Sequence, residues 1–176
     1  MIMKIIFLSI AFMLSSLGIV AQKHIEFLGI PLNSSYEIFS EKLQAKGFKP
    51  STLYENSFDG VLYERQVGVT LYPNSETNTI DVAVYFSFPD ETYMHSYYKE
   101  LKNVFTKKYK DVAFIKEFHP KGDLYPRYFI GLKKNTEDVE LNDITTQTYG
   151  TITILRDKVG EGGFLNQIAI LYHPYR

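Results

Sequence analysis

Residues 79–88 alternate strictly: Ile80, Val82, Val84, Phe86 and Phe88 are separated by Asp81, Ala83, Tyr85 and Ser87. Apolar positions at period two predict an antiparallel strand with one buried face. Past Pro89 the period lengthens. Met94, Tyr97, Tyr98, Leu101, Val104, Phe105 and Tyr109 fall at i, i+3, i+4, i+7, i+10, i+11 and i+15, the stripe of an amphipathic helix of about four to five turns. Asp90 stands where its N-cap belongs, and Glu91 follows in the first turn.

An earlier helix is predicted after an extended approach at residues 27–32, where Pro31 holds the preceding residue in extended space. Ser34 and Glu37 have the spacing of a capping box, and Phe39 and Leu43 share a face. Gly47 then sits at the C′ position, so Leu43 can touch Phe48 in a Schellman ending. Lys42 and Lys46 in the last turn suit the negative end of the helix dipole.

The remaining apolar runs read as strands. Asp59-Gly60, between residues 53–58 and 61–71, carries the composition of a type I′ hairpin turn. Val61, Tyr63, Val67, Val69 and Leu71 then share one parity. Further strands are expected at 112–118, 125–133, 149–156 and 164–172, with a polar loop at 134–148 and a glycine-rich turn at 157–163. The order is α-β-β-β-α-β-β-β-β. Helices interleaved with antiparallel runs predict an α+β fold, with two sub-repeats at 27–88 and 89–176.

Composition narrows the setting. Lys4 precedes an apolar run to Val20, and Ala21 before Gln22 supplies the small residue of a cleavage site. Residues 1–21 therefore read as a signal peptide and 22–176 as one exported domain, periplasmic or secreted, with no stable membrane insertion after cleavage. The chain has no cysteine, which excludes disulfides, thiolate metal sites, thiol nucleophiles and a lipidated N-terminal Cys; the protein is not expected to be a lipoprotein. A net charge of −1 argues against nucleic acid as a partner.

Phe27-Leu28-Gly29-Ile30-Pro31, followed by Phe39, Leu43 and Lys46-Gly47-Phe48, resembles the opening of a group of small exported proteins of unknown function from Gram-negative gut anaerobes. Tyr97, Tyr98, Leu101, Lys107, Lys108 and Tyr109 support the likeness. The repetition of helix then sheet is also similar to β-lactamase inhibitor proteins and to small outer-membrane assembly lipoproteins. That second likeness is one of architecture and transfers no site.

No catalytic, metal or cofactor constellation emerges. His24, His95, His119 and His173 make no HExxH or HxH pattern and read as surface or boundary residues. Residues 135–143 hold four carboxylates and no base, but lack the spacing and turn glycine of a calcium loop. Gly160-Glu161-Gly162-Gly163 has no following Lys-Ser/Thr and reads as a hairpin connection. There is no GxSxG nucleophile elbow, and no enzyme is predicted. Lys102, Lys107 and Lys110 fall off the helical stripe and read as a solvated face, the alternative being a patch for lipid A phosphate or an acidic glycan.

Two features remain for binding. Arg65 lies on the parity of Val67 and Val69, so regular pleating aims it at the core. Three outcomes are open. A bulge near Gly68 or a snorkelling stem could turn it outward; Asp81 or Glu117 could pair it internally; or it could line a pocket and meet an anion. Tyrosine is abundant, 14 residues in a chain without tryptophan, and Tyr93, Tyr125 and Tyr149 fall off the main apolar parity or near element ends. Tyrosine there offers rigid amphipathic contact area. With Arg127 these form the candidate binding residues. The expected function is a non-enzymatic binding or adaptor module for a protein partner, inhibitor-like in mode. The alternative is a binder of a small glycan or anionic metabolite in a helix–sheet pocket.

Overall fold

The computed structural model describes residues 25–121, 125–134, 148–159 and 165–175. The segment expected to be a signal peptide (residues 1–21), His24, the acidic stretch 135–143 and the glycine-rich segment 160–163 lie outside them. A hairpin of β1 (Glu26–Phe27) and β2 (Ile30–Pro31) leads into α1 (Tyr36–Ala45). Then come β3 (Lys49–Pro50), β4 (Ser57–Leu62), β5 (Arg65–Asn74) and β6 (Thr79–Phe88). Helix α2 (Glu91–Tyr109) precedes β7 (Ala113–Phe118), β8 (Arg127–Lys133), β9 (Thr148–Val159) and β10 (Leu165–Pro174). The fold is α+β: the described residues form two helices with one eight-stranded antiparallel sheet, ordered β3-β4-β5-β6-β10-β9-β8-β7, and the small hairpin. The two strand runs meet through their last strands, β6 against β10.

One face of the sheet is the core. Val69 faces Val84, Val84 faces Ile170, Ile170 faces Ile154 and Ile154 faces Tyr128 across successive strands, all buried. Helix α2 covers β6, β8, β9 and β10 with Met94, Tyr98, Leu101, Phe105 and Tyr109 buried, while Tyr97 and Val104 stay half-buried at the edge of the stripe. The opposite face carries no described helix and is lined by Thr70, Ala83, Tyr85, Ala169, Leu171 and Thr153.

Local signals hold at α2, where Asp90 accepts a hydrogen bond from the Tyr93 amide at 2.9 Å. The C-terminus of α1 is the expected Schellman ending: the Phe48 amide donates to Leu43 O at 3.3 Å and the Gly47 amide to Gln44 O at 2.8 Å, with Gly47 at φ +92°. Its N-terminus differs from expectation. Ser35, not Ser34, is the N-cap, and the Ser34 hydroxyl donates to Pro31 O at 2.8 Å instead. Adjacent serines are equivalent in sequence, and the strand before them decides which one the helix uses.

The first hairpin also departs from expectation. β4 runs straight through Asp59-Gly60, and the turn lies at Tyr63 (φ +50°) and Glu64 (φ +63°), with Leu62 opposite Arg65. Both turn residues take positive φ without being glycine, a cost of roughly 1–2 kcal/mol each. Packing offsets it. Phe58, Gly60 and Leu62 now face inward with Val69 and Val67, and the buried Phe48 ring lies so close on Gly60 that a Cβ there would come within 2.3 Å of Cδ1. Val61 and Tyr63 leave the buried parity expected of them and are exposed.

Candidate functional site

Arg65 keeps its inward parity, because β4 and β5 pair without a break from Leu62–Arg65 through Asp59–Gly68. It is half-buried, with Cζ 4.9 Å from the Phe88 ring centroid and 4.7 Å from that of Tyr97. Neither nominated carboxylate reaches it. Asp81 Oδ2 lies 2.6 Å from His173 Nδ1, and Glu117 Oε2 accepts from Lys102 Nζ at 2.6 Å. The bulge and the internal ion pair are both absent at Arg65; aromatic rings hold it instead.

The same architecture recurs on the other flank of α2. Ile152, Ile154 and Arg156 share the inward face of β9, and Arg156 Cζ lies 4.2 Å from the Tyr98 ring and 4.7 Å from the Tyr125 ring. Consecutive helix residues, Tyr97 and Tyr98, thus each take one guanidinium, and the two cations straddle the N-terminal half of α2. Tyr98 donates to Glu117 Oε1 at 3.2 Å and to Pro126 O at 3.4 Å. Tyr125 donates to Glu91 Oε1 at 2.5 Å, and its ring meets His95 edge-on at 5.4 Å. Burial pushes the phenols of Tyr97 and Tyr98 above the usual tyrosine range; the neighbouring Arg65 and Arg156 oppose the shift. Both phenols therefore stay neutral at ordinary pH.

Hydrogen-bonding capacity is left over here. Among the described residues neither guanidinium makes an ion pair or hydrogen bond, and Arg156 Nε, the Tyr97 hydroxyl and Asn166 Oδ1 are buried without a partner. Asn166 on β10 stands opposite Phe88, so it lies on the same rim of the sheet. A guanidinium whose planar surface rests on rings keeps its in-plane N–H donors for a carboxylate or phosphate.

Of the residues expected to bind, Arg65 and Tyr125 belong to this rim, on opposite flanks of the helix. Tyr93 is exposed on α2, Arg127 stands opposite Phe118 at the outer end of β8, and Tyr149 lies at the far end of β9, where its carbonyl accepts from the Tyr175 amide. Those three are not brought together. Arg156, Asn166 and the Tyr97–Tyr98 pair are the residues sequence reasoning passed over, although Arg156 follows Ile152 and Ile154 at period two just as Arg65 precedes Val67 and Val69. Lys102 is not merely a solvated face: besides Glu117 it lies over the rings of Tyr98 (5.5 Å) and Tyr128 (5.1 Å). Among the described residues no three His, Asp or Glu side chains converge as a metal centre would require. Comparison with known protein families, curated proteins and solved structures finds no match to this chain.

Proposed function

We propose that the protein is an exported, non-enzymatic binding module that takes an anionic small molecule at the rim between α2 and the sheet. The observation that carries this reading is the pair Arg65 and Arg156, each half-buried on two aromatic rings and neither neutralised by a carboxylate among the described residues. A structural arginine at such depth is normally paired, because an unpaired buried charge is costly. A carboxylate or phosphate supplied from solution completes both. The test is calorimetric titration of the full chain and of Arg65→Met and Arg156→Met with inorganic phosphate and citrate. Weak, salt-sensitive binding by the parent, lost in either variant while stability changes by less than about 1 kcal/mol, supports the reading. Absence of binding by the parent, or undiminished binding by both variants, refutes it. Export is checked separately by mass spectrometry, with Gln22 as the expected mature N-terminus.

A second reading, a protein partner, is favoured by Val61, Leu53 and Tyr54, which are 57%, 80% and 71% exposed at the β3–β4 side of the sheet. A pulldown with the mature chain that recovers one stoichiometric partner, lost on Val61→Glu, would support it.

A further inference from the structure

The face of the sheet turned away from α2 holds a second constellation, independent of the arginine rim and at the other end of the strands. Asn74, Thr77, Thr79, Asp81, His173 and Tyr175 line a cleft of about 260 Å³. Asp81 and His173 are cross-strand neighbours on β6 and β10, and their 2.6 Å contact engages His173 Nδ1. That bond fixes the imidazole orientation and leaves Nε2 as its remaining polar atom. The Thr77 and Thr79 hydroxyls lie 2.6 Å apart, and Asn74 Oδ1 accepts from the amides of Glu76 and Thr77, so the loop that closes the cleft is tied back on itself. Aromatic surface borders these polar groups. The Tyr175 ring meets His173 edge-on at 5.0 Å. Tyr72, opposite Asp81 in the β5–β6 register, is 52% exposed, yet its hydroxyl is 3.4 Å from that of Tyr85.

We infer that this cleft binds a neutral saccharide, a single sugar ring with its polar edge on Asp81, His173 and the threonines and an apolar C–H face on tyrosine. The charge pattern selects against other ligands. With the imidazole protonated, the Asp81–His173 pair carries no net charge to draw either an anion or a cation. Carboxylate, imidazole and hydroxyls together supply both donors and acceptors, which is what adjacent sugar hydroxyls, each donor and acceptor at once, require. Tyrosine held at the surface by a hydroxyl–hydroxyl contact gives ring area at little entropic cost. The volume lies just below the range of drug-sized pockets, which fits one ring and not a long chain.

The test is saturation-transfer NMR on the full chain with D-glucose, D-galactose, D-mannose and N-acetyl-D-glucosamine, followed by calorimetry on whichever responds. The expected result is millimolar binding of at least one sugar, weakened tenfold or more by Asp81→Asn and by Tyr175→Ala and unchanged by Lys107→Ala on α2. Far-UV circular dichroism confirms that each variant is folded. No response from any of the four sugars, or a response that survives Asp81→Asn in a folded protein, overturns the inference.

Discussion

Gly60→Ala separates two accounts of the first hairpin. The methyl group would be built 2.3, 2.6 and 2.8 Å from Cδ1, Cε1 and Cγ of Phe48, a ring that is only 4% exposed and so has little room to move. Overpacking of this kind costs about 1–3 kcal/mol. Alanine in a strand returns roughly 0.5–1 kcal/mol relative to glycine, so the net loss is centred on about 1 kcal/mol and reaches at most about 2.5 kcal/mol. For a chain of this size a loss of about 1 kcal/mol lowers Tm by roughly 2–4 °C. The partner variant is Phe48→Ala, which costs about 3–5 kcal/mol alone but removes the obstacle. In its background Gly60→Ala becomes neutral or slightly stabilising, giving a coupling of about 1–3 kcal/mol. Had Asp59-Gly60 formed the turn, positive φ would make Gly60→Ala cost about 1–2 kcal/mol with or without the ring. Urea unfolding of the four proteins, followed by far-UV circular dichroism, measures the cycle. If Phe48→Ala does not fold, Phe48→Leu serves in its place. An equal loss in both backgrounds refutes the packing account.

Glu64→Gly should stabilise the protein by up to about 1 kcal/mol, since glycine removes the positive-φ cost at the second turn position and offsets that only in part through its unfolded-state entropy; a urea midpoint unchanged or lowered would contradict it. The pH dependence follows from His173. The Asp81 hydrogen bond holds its pKa above the ordinary 6.5 against a smaller opposing effect of burial. The pair's contribution is therefore complete below about pH 6.5 and is lost as pH rises through the higher folded-state value. Unfolding free energies measured from pH 5.5 to 8.5 should show that decline in the parent and a flatter profile in Asp81→Asn, and parallel profiles would count against the pairing.

Elements written in short-range contacts were legible from the chain alone. The Leu43–Gly47–Phe48 ending, the Asp90 cap, the stripe on α2 and the alternation in β6 each depend on residues within a few turns of one another, so composition and spacing suffice to specify them. They also sufficed for the α+β class, because two helical periods set among runs of period two leave little else. Strand register was a different matter. Asp59-Gly60 and Tyr63-Glu64 compete as turns, and local propensity favours the first; the Phe48 ring, delivered from beyond α1, selects the second by demanding a glycine inside the strand. The arginine rim shows the same division. Parity alone placed Arg65 on the inner face, but that Phe88 and Tyr97 would receive it depends on β5 lying beside β6 under α2, and that Asp81 would instead turn to His173 nearly a hundred residues away in sequence and Arg156 would mirror it across α2 depends on β6 pairing with β10. Period tells which face a side chain takes. Only the assembled sheet decides what meets it there, because the partners come from strands whose order the local sequence does not encode.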